Sequence, residues 1–378
     1  MAKVGIFGGT FNPVHKEHVL IARAAKEELS LDSLLIMPTF ISPHKSLNPA
    51  PIEDRINMLK LAFSDDSGIK ISSYEAEKQG KSYTYQTVEE FKKRDPNGEL
   101  YFIVGGDMLT DFKRWKNPER ILDACTLCVF DREDYFTDYK AEEEYFIKTF
   151  GKKFKKLNYV GKTSSSTKIR TYSEFGLKCD LIPEKVSDYI LEKGLYKGDK
   201  YVQFIKDNLK PSRVIHTANV VITAMSKARE LSLDENKVKL AATLHDCAKY
   251  MDYKDYKDFL LPNGVPEKVV HAFLGANVAE KVLGITDQEV IDAIRYHTSG
   301  KANMSTLGKL IFVADMVEEG RTYEGVEILR EKYYTENFES CFVECLKEET
   351  VHLLKKEIDI YAETLNAYEY YVNNKKRG

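Results

Sequence analysis

Two groups of side chains in this 378-residue sequence have types and spacings that could do chemistry. The first is Gly8-Gly9-Thr10-Phe11-Asn12-Pro13-Val14-His15-Lys16-Glu17-His18, which follows the apolar run Val4 to Phe7 and leads into an amphipathic stretch. Glycines at a strand-to-helix junction let the backbone approach a ligand closely. The helix start adds unpaired N–H groups and a positive dipole end, so the pattern predicts a phosphate site. Two common glycine motifs are excluded: Gly5, Gly8 and Gly9 do not make G-x-G-x-x-G, and Gly161-Lys162-Thr163 has Lys156 where a P-loop needs its first glycine. The second group is His216, His245-Asp246, His271, His297 and Asp315, each within or ending a different apolar-periodic stretch. A lone histidine on an apolar helix face is ordinarily a hydrogen-bonded core residue. Four of them with a His-Asp pair, turned inward from several helices, carry a desolvation cost that a bound cation offsets. Mixed imidazole and carboxylate ligation with open positions suits iron, manganese (Mn2+) or cobalt (Co2+) better than a closed structural zinc site. A cation held there would lower the pKa of its water to about 7 for attack at phosphorus.

The elements that must position these residues differ between the two halves. Short apolar runs (Val4 to Phe7, Ser33 to Met37, Ile69 to Ser72, Leu100 to Val104, Thr126 to Phe130) alternate with helical-period stretches such as His18 to Leu29 and Ile52 to Phe63. That alternation predicts βαβ units on a parallel sheet. Past Gly194-Leu195-Tyr196-Lys197-Gly198 apolar residues recur every three to four positions, from Val214 to Leu231, Val238 to Ala248, Val269 to Leu283, Val290 to Tyr296 and Leu307 to Val317. These read as helices alone. The expected organisation is an α/β domain over residues 1–196 and an all-α domain over residues 197–378. Glu133 to Lys156, charged and rich in tyrosine, is expected to be a solvated helix or insertion, and Lys375-Lys376-Arg377 a solvated tail. The lone C-x-x-C of Cys125 and Cys128 has no partner pair to complete a zinc site, so both are expected as core thiols.

Composition narrows the function classes. The length asks for at least two hydrophobic cores, and 43% hydrophobic with 30% charged residues fits a globular chain. Lys plus Arg (56) nearly balance Asp plus Glu (59), and a net charge of -3 gives no field for gripping a nucleic-acid backbone. No signal-peptide pattern opens the chain, no apolar run reaches the ~18 residues that span a bilayer, and six cysteines make no disulfide framework. A cytoplasmic protein with neither nucleic-acid nor membrane partner is expected. The oligomeric state stays open.

The glycine loop resembles the nucleotidyltransferase superfamily, whose signature is a strand followed by G-G-[ST]-F-[DN]-P-x-H-x-G-H. Pro43-His44-Lys45, Gly80-Lys81-Ser82-Tyr83-Thr84, the block Tyr101 to Trp115, Ser164 to Arg170 and Leu181 to Tyr196 follow in the order seen in bacterial nicotinate mononucleotide adenylyltransferases. The resemblance covers nearly all of residues 1–196 and implies a Rossmann-like fold, ATP with Mg2+, and nicotinate mononucleotide as acceptor. It implies that Gly8, Gly9, Thr10 and Phe11 surround ATP, that His15 and His18 touch its phosphates, and that Ser166, Thr167 and Arg170 hold the triphosphate. Asp107 would hold the ribose or orient the site. Lys45 would meet the incoming phosphate or triphosphate. Trp115 would stack on the pyridine ring beside Tyr83 and Thr84, with Arg132 adding a charge near the acceptor. Two positions depart from the family: Glu17 replaces the glycine between the two histidines, and Gln86 replaces an acid usual after S-Y-T. If Glu17 faces solvent the helix dipole accommodates it; if it faces the triphosphate it repels ATP.

The second group resembles the HD-domain phosphohydrolases, in particular the small bacterial subgroup that cleaves diadenosine tetraphosphate symmetrically into two ADP. The carrying segments are Arg213-Val214-Ile215-His216-Thr217, Leu244 to Lys249, His271 to Ala276, Ala293 to Gly300 and Val313 to Asp315. The resemblance implies two metal ions, usually iron, with Asp246 bridging, His216, His245 and Asp315 on one ion, and His271 and His297 on the other. Lys249, Thr298, Lys301 and Arg321, each just beyond a ligand segment, are candidates for holding polyphosphate. The family's E-P-N-R stands here as Glu318-Glu319-Gly320-Arg321. Together the halves suggest a bifunctional enzyme. The competing readings are adenylyl transfer to another acceptor, such as phosphopantetheine, beside an HD nucleotide phosphohydrolase, and one half retained as a non-catalytic nucleotide-binding regulatory module.

Overall fold

A computed structural model of the chain describes residues 1–40, 50–78, 80–133, 137–162, 166–256 and 258–373, excluding the side chain of Arg132. The chain divides into two compact units, residues 1–170 with 179–196 and residues 171–178 with 197–378.

Six strands build the first unit: β1 (Lys3–Gly9), β2 (Ser33–Pro38), β3 (Ile69–Ile71), β4 (Glu99–Gly105), β5 (Thr126–Arg132) and β6 (Lys155–Gly161). All pair in parallel, in the order β3-β2-β1-β4-β5-β6. The crossovers carry α1 (Lys16–Glu28), α2 (Ile52–Ala62), α3 (Tyr74–Lys78), α4 (Thr84–Arg94), α5 (Gly106–Asp111), α6 (Pro118–Ala124) and α7 (Tyr139–Phe150); α8 (Ser166–Phe175), which belongs to the second unit from Thr171 on, and α9 (Glu184–Lys193) follow β6. Successive strand residues feed opposite faces, as the two-residue period requires. Phe7, Ile36 and Ile103 enter one apolar cluster, whereas Ile6, Phe102 and Val104 enter the other. Helices therefore cover both faces, and winding reverses between β1 and β4. A crevice at the carboxyl ends of those two strands is the place such a sheet offers a ligand.

The sequence expectation missed β6 but foresaw a helix in the stretch before it. Lys155–Gly161 has little strand signal because it lies at the sheet edge, where only Leu157 and Gly161 are buried. Helix α7 is not merely solvated: Phe146 is fully buried and stacks on Phe112 with centroids 5.3 Å apart. Cys125 and Cys128 are buried thiols, and burial pushes both up to about 12.

The second unit contains no strand among the described residues. It consists of α10 (Lys200–Asn208), α11 (Pro211–Ala228), α12 (Glu235–Leu244), α13 (Glu267–Lys281), α14 (Gln288–Tyr296), α15 (Thr306–Val317), α16 (Val326–Thr335), α17 (Phe338–Lys355) and α18 (Ala362–Tyr368). Asp234, Asp287 and Ser305 accept hydrogen bonds from backbone N–H groups in the first turns of α12, α14 and α15, fixing where these helices begin. Helix α15 buries Leu307, Leu310, Ile311, Phe312, Val313 and Val317, and so forms the apolar centre. Small buried residues (Ala218, Ala242, Ala276, Ala293, Ala314) allow the helix axes to approach closely. Each fully buried Leu, Ile or Phe contributes about 1.5–3 kcal/mol against exposure.

Candidate functional site

At the end of β1 the chain turns through Gly9 to Phe11. A Cβ on Gly9 would lie 3.0 Å from the Phe11 ring, and Phe11 itself has φ of 47°. Phe11 is buried edge-on against Phe7 and His18, so its side chain props the loop from beneath. His15 then caps α1. Its Nδ1 accepts from the His18 N–H at 3.3 Å, while His18 Nδ1 accepts from the His15 N–H at 3.2 Å. The two rings stack with centroids 3.5 Å apart. An Nδ1 that accepts places the proton of a neutral imidazole on Nε2, the form that donates to a phosphate oxygen.

Helix α8 begins against the same loop. Ser166 Oγ donates to the Pro13 carbonyl at 3.1 Å, Arg170 Nη1 donates to the Asn12 carbonyl at 2.7 Å, and Arg170 Nη2 donates to Thr167 Oγ1 at 3.0 Å. The structure thus brings His15, His18, Ser166, Thr167 and Arg170 to one loop. Asp107 lies in the first turn of α5, at the end of β4. Trp115 and Tyr83 are half-buried against one apolar cluster, Trp115 packing on Phe112 and Phe102, with Thr84 at the start of α4. The buried Trp115 indole N–H has no hydrogen-bond partner among the described residues. Lys45 and the Arg132 side chain lie outside the described residues.

Sequence reasoning missed the buried Arg55, which donates to the carbonyls of Thr10, Thr39, Phe40 and Ala50 at 2.7–3.3 Å and so ties the phosphate loop to the segment after β2. Its signal was an arginine within the apolar period of α2. Glu17 takes neither orientation left open above. It is buried, and its Oε1 accepts from the Tyr159 hydroxyl at 2.7 Å and from the Lys162 N–H at 3.0 Å.

In the second unit, α11 carries His216, α13 His271 and α15 Asp315, while α12 and α14 each end at a histidine, His245 and His297. Their side chains converge. Two triads, His216–His245–Asp246 and Asp246–His271–His297, share the Asp246 carboxylate, with the ligating atoms of each within 4.8 Å of one another. His216 Nε2 lies 3.0 Å from Asp315 Oδ1 and 3.3 Å from His245 Nε2, and His271 Nε2 lies 3.4 Å from His297 Nε2. All four imidazoles and Asp246 are buried.

The far ring nitrogens explain the orientation. His245 Nδ1 meets the Ala242 carbonyl at 2.7 Å, His297 Nδ1 the Ile294 carbonyl at 2.8 Å, and His216 Nδ1 the Glu318 carboxylate at 3.0 Å. Each acceptor fixes the proton on Nδ1 and leaves Nε2 as a lone-pair donor. The Nε2 lone pairs of His216 and His245, 3.3 Å apart, repel unless a cation lies between them, and Asp246 Oδ1 stands 3.1 Å from His271 Nε2 on the other side. The residues fit a divalent metal. Burial pushes His245 down to about 3 and lowers His271 as well, which favours the neutral ligand form. Burial also pulls on His216, but the carboxylates of Asp315 at Nε2 and Glu318 at Nδ1 outweigh that and raise it, so a cation at Nε2 would displace a proton there. Burial works against ionised Asp246 and Asp315; the surrounding histidines, with Lys249 and Arg321 respectively, hold both well below the usual carboxylate range.

Of the four predicted polyphosphate residues, three reach this cluster directly. Lys249 Nζ lies 3.0 Å from His271 Nε2, and Thr298 Oγ1 lies 3.0 Å from His297 Nε2. Arg321 pairs with the Asp315 carboxylate and donates to its carbonyl at 2.7 Å. Lys301 instead pairs with Asp292 at 2.9 Å and sits over the Tyr296 ring. Two contributors escaped the sequence reading. Glu318 orients His216, and Arg213 donates to Asp246 Oδ2 at 2.9 Å. Their spacing, three residues from Asp315 and from His216, was the available signal.

Residues 6–172 match the cytidylyltransferase-like family and residues 213–362 the HD domain, so a nucleotidyltransferase-type α/β domain precedes a helical HD domain. The chain is 40% identical over 203 residues to a Clostridium tetani protein named "Probable nicotinate-nucleotide adenylyltransferase", covering 52% of this chain and 100% of the relative. It therefore belongs, through its first half, to the nicotinate-nucleotide adenylyltransferase family. A Mycoplasma genitalium protein named "Probable nicotinate-nucleotide adenylyltransferase/Ap4A hydrolase" is 28% identical over 338 residues, which span 86% of this chain and 91% of the relative. A solved Clostridium acetobutylicum structure described as a "predicted HD superfamily hydrolase involved in NAD metabolism" is 28% identical with a TM-score of 0.44, covering 47% of this chain and 97% of that one. Among the described residues no helix is long and apolar enough to cross a membrane.

Proposed function

We propose that the chain is a bifunctional cytoplasmic enzyme. Its first domain transfers AMP from ATP to nicotinate mononucleotide, giving deamido-NAD and pyrophosphate. Its second hydrolyses diadenosine tetraphosphate symmetrically to two ADP. The observation that carries the reading is a pair of buried histidine–aspartate triads sharing Asp246 in a chain whose other half belongs to the adenylyltransferase family.

For the first reaction the acceptor needs no strong base, because a phosphate monoester has a second pKa of about 6 and is largely dianionic at neutrality. The protein's task is alignment and charge neutralisation. His15 and His18 donate from Nε2 to the triphosphate, and Ser166, Thr167 and Arg170 hold it from the start of α8, with Mg2+ accompanying the nucleotide. Lys45 meets the incoming phosphate. Trp115, Tyr83, Thr84 and Arg132 receive the nicotinate nucleotide, and Asp107 orients the ribose.

For the second reaction His216, His245, Asp246, His271, His297 and Asp315 would hold two ions, iron being our assignment over Mn2+ or Co2+. A bound pair supplies a water nucleophile near neutrality and charge neutralisation on the polyphosphate. Lys249 and Thr298 position the phosphate chain. Lys301 and Arg321 join them by exchanging Asp292 and Asp315 for phosphate. ADP departs as a stabilised anion and needs no strong acid.

Product identification with a panel of acceptors (nicotinate mononucleotide, nicotinamide mononucleotide, phosphopantetheine) and of nucleotides tests the reading. Deamido-NAD as the dominant adenylylated product supports it; a preference for phosphopantetheine overturns it.

A further inference from the structure

Position 17 holds a glutamate where the resembled loop has glycine, and the structure gives that side chain a defined task. Glu17 is the second residue of α1, between the two histidines that face the phosphate loop. Its carboxylate is buried and spans to β6, the last strand of the sheet, accepting from the Tyr159 hydroxyl at 2.7 Å and from the backbone N–H of Lys162 at 3.0 Å. A single oxygen, Oε1, receives both bonds. Gly161 lies between these two donors, and a Cβ placed there would sit 3.5 Å from the same oxygen. Burial and the bond to Glu17 together push the Tyr159 phenol up, so it remains a donor at any working pH.

Lys162 leads toward Ser166, where α8 begins, and Ser166 and Arg170 are themselves bonded to the carbonyls of Pro13 and Asn12. The start of α1 is thus tied twice: to the start of α8 through the bonds of Ser166 and Arg170 to the loop before it, and to the end of β6 through Glu17. We infer that Glu17 is a positioning residue for adenylyl transfer, a buried acceptor that fixes the end of β6 so that α8 presents Ser166, Thr167 and Arg170 to the triphosphate beside His15 and His18. The inference rests on the adenylyltransferase reading. It also removes the electrostatic objection to this residue, because the charge is spent on two donors rather than turned toward ATP.

The test measures binding of a non-hydrolysable ATP analogue with Mg2+ to the full chain by calorimetry, which is independent of the acceptor's identity. Glu17→Ala is expected to weaken the analogue about tenfold, the scale of losing two ordinary hydrogen bonds. Glu17→Gln, whose amide oxygen can accept both bonds without charge, is expected to stay within about threefold of wild type. Tyr159→Phe, which deletes one donor, should fall between, and it keeps the test open should the alanine variant fail to fold. In turnover the loss should appear in the KM for ATP, with the KM for nicotinate mononucleotide unchanged. Tighter binding by Glu17→Gln and Glu17→Ala alike would mean that the carboxylate repels ATP, and equal binding by all variants would mean that it positions nothing; either overturns the inference alone. A wild-type chain that binds no nucleotide would overturn the adenylyltransferase reading and this inference with it.

Discussion

The two phosphate-handling regions of this molecule are built by opposite means. In the first unit the proposed site is made from the ends of secondary structure: the loop after β1 and the first turns of α1, α5 and α8. Much of its polarity is backbone, and its side chains are tied to loop carbonyls, as Ser166 and Arg170 are. In the second unit the polar atoms are side chains from five helical segments, buried at the core with their far nitrogens fastened to carbonyls or to Glu318. A loop-built site can follow a ligand's charge as it moves. A core-built site holds unfavourable lone-pair contacts in place and depends on a cation to relieve them. The first is expected to tolerate loss of one contact with partial activity; the second is expected to fail as a unit.

That contrast can be broken in four ways, ordered by expected effect. Replacing His245 and Asp246 together by alanine should remove bound metal and lower polyphosphate hydrolysis by about a thousandfold or more. Adenylyl transfer in the same preparation should stay within about twofold, and its loss would show that the sites are not independent. Arg170→Ala should lower adenylyl transfer about a hundredfold, since a charged donor to the triphosphate is removed, while elemental analysis still finds metal at the wild-type level. Stripping metal with a chelator should destabilise the second unit by about 3–4 kcal/mol, the linkage expected where metal exceeds its dissociation constant a hundred- to a thousandfold. In calorimetric unfolding this would lower the transition of the helical unit and leave that of the α/β unit in place. Glu318→Gln keeps a neighbour for His216 but removes the charge that raises the ring's basicity, and should weaken metal binding by about 10–100-fold in a chelator competition. Unchanged affinity would mean that Glu318 is only a packed acid.

The same contrast explains what could be read in advance. The phosphate loop is contiguous in sequence, so its glycines and histidines were visible as a string, and the strand-helix alternation around it gave the parallel sheet. The proposed metal ligands are dispersed over about a hundred residues, yet polar groups on apolar helix faces are conspicuous, and the fold does bring all six together. What escaped was what depends on the third dimension. β6 lacks an alternating apolar run because an edge strand is half solvated, so no period marked it. Glu17 could be assigned to solvent or to the triphosphate by its place on α1, but its true partners, Tyr159 and Lys162, lie more than 140 residues away. Lys301 follows a ligand segment closely, yet the side chain turns to Asp292 on the preceding helix. Arg55 reads as a helix residue and serves as a hub for four loop carbonyls.

The most direct test of a metal-dependent hydrolase in the second unit is elemental analysis of the full chain purified without chelator, followed by chromatography of the products formed from diadenosine tetraphosphate. About two transition-metal ions per chain and ADP as the sole nucleotide product are expected. A chain that carries no metal and leaves the tetraphosphate intact, or one that splits it into AMP and ATP, would contradict the account.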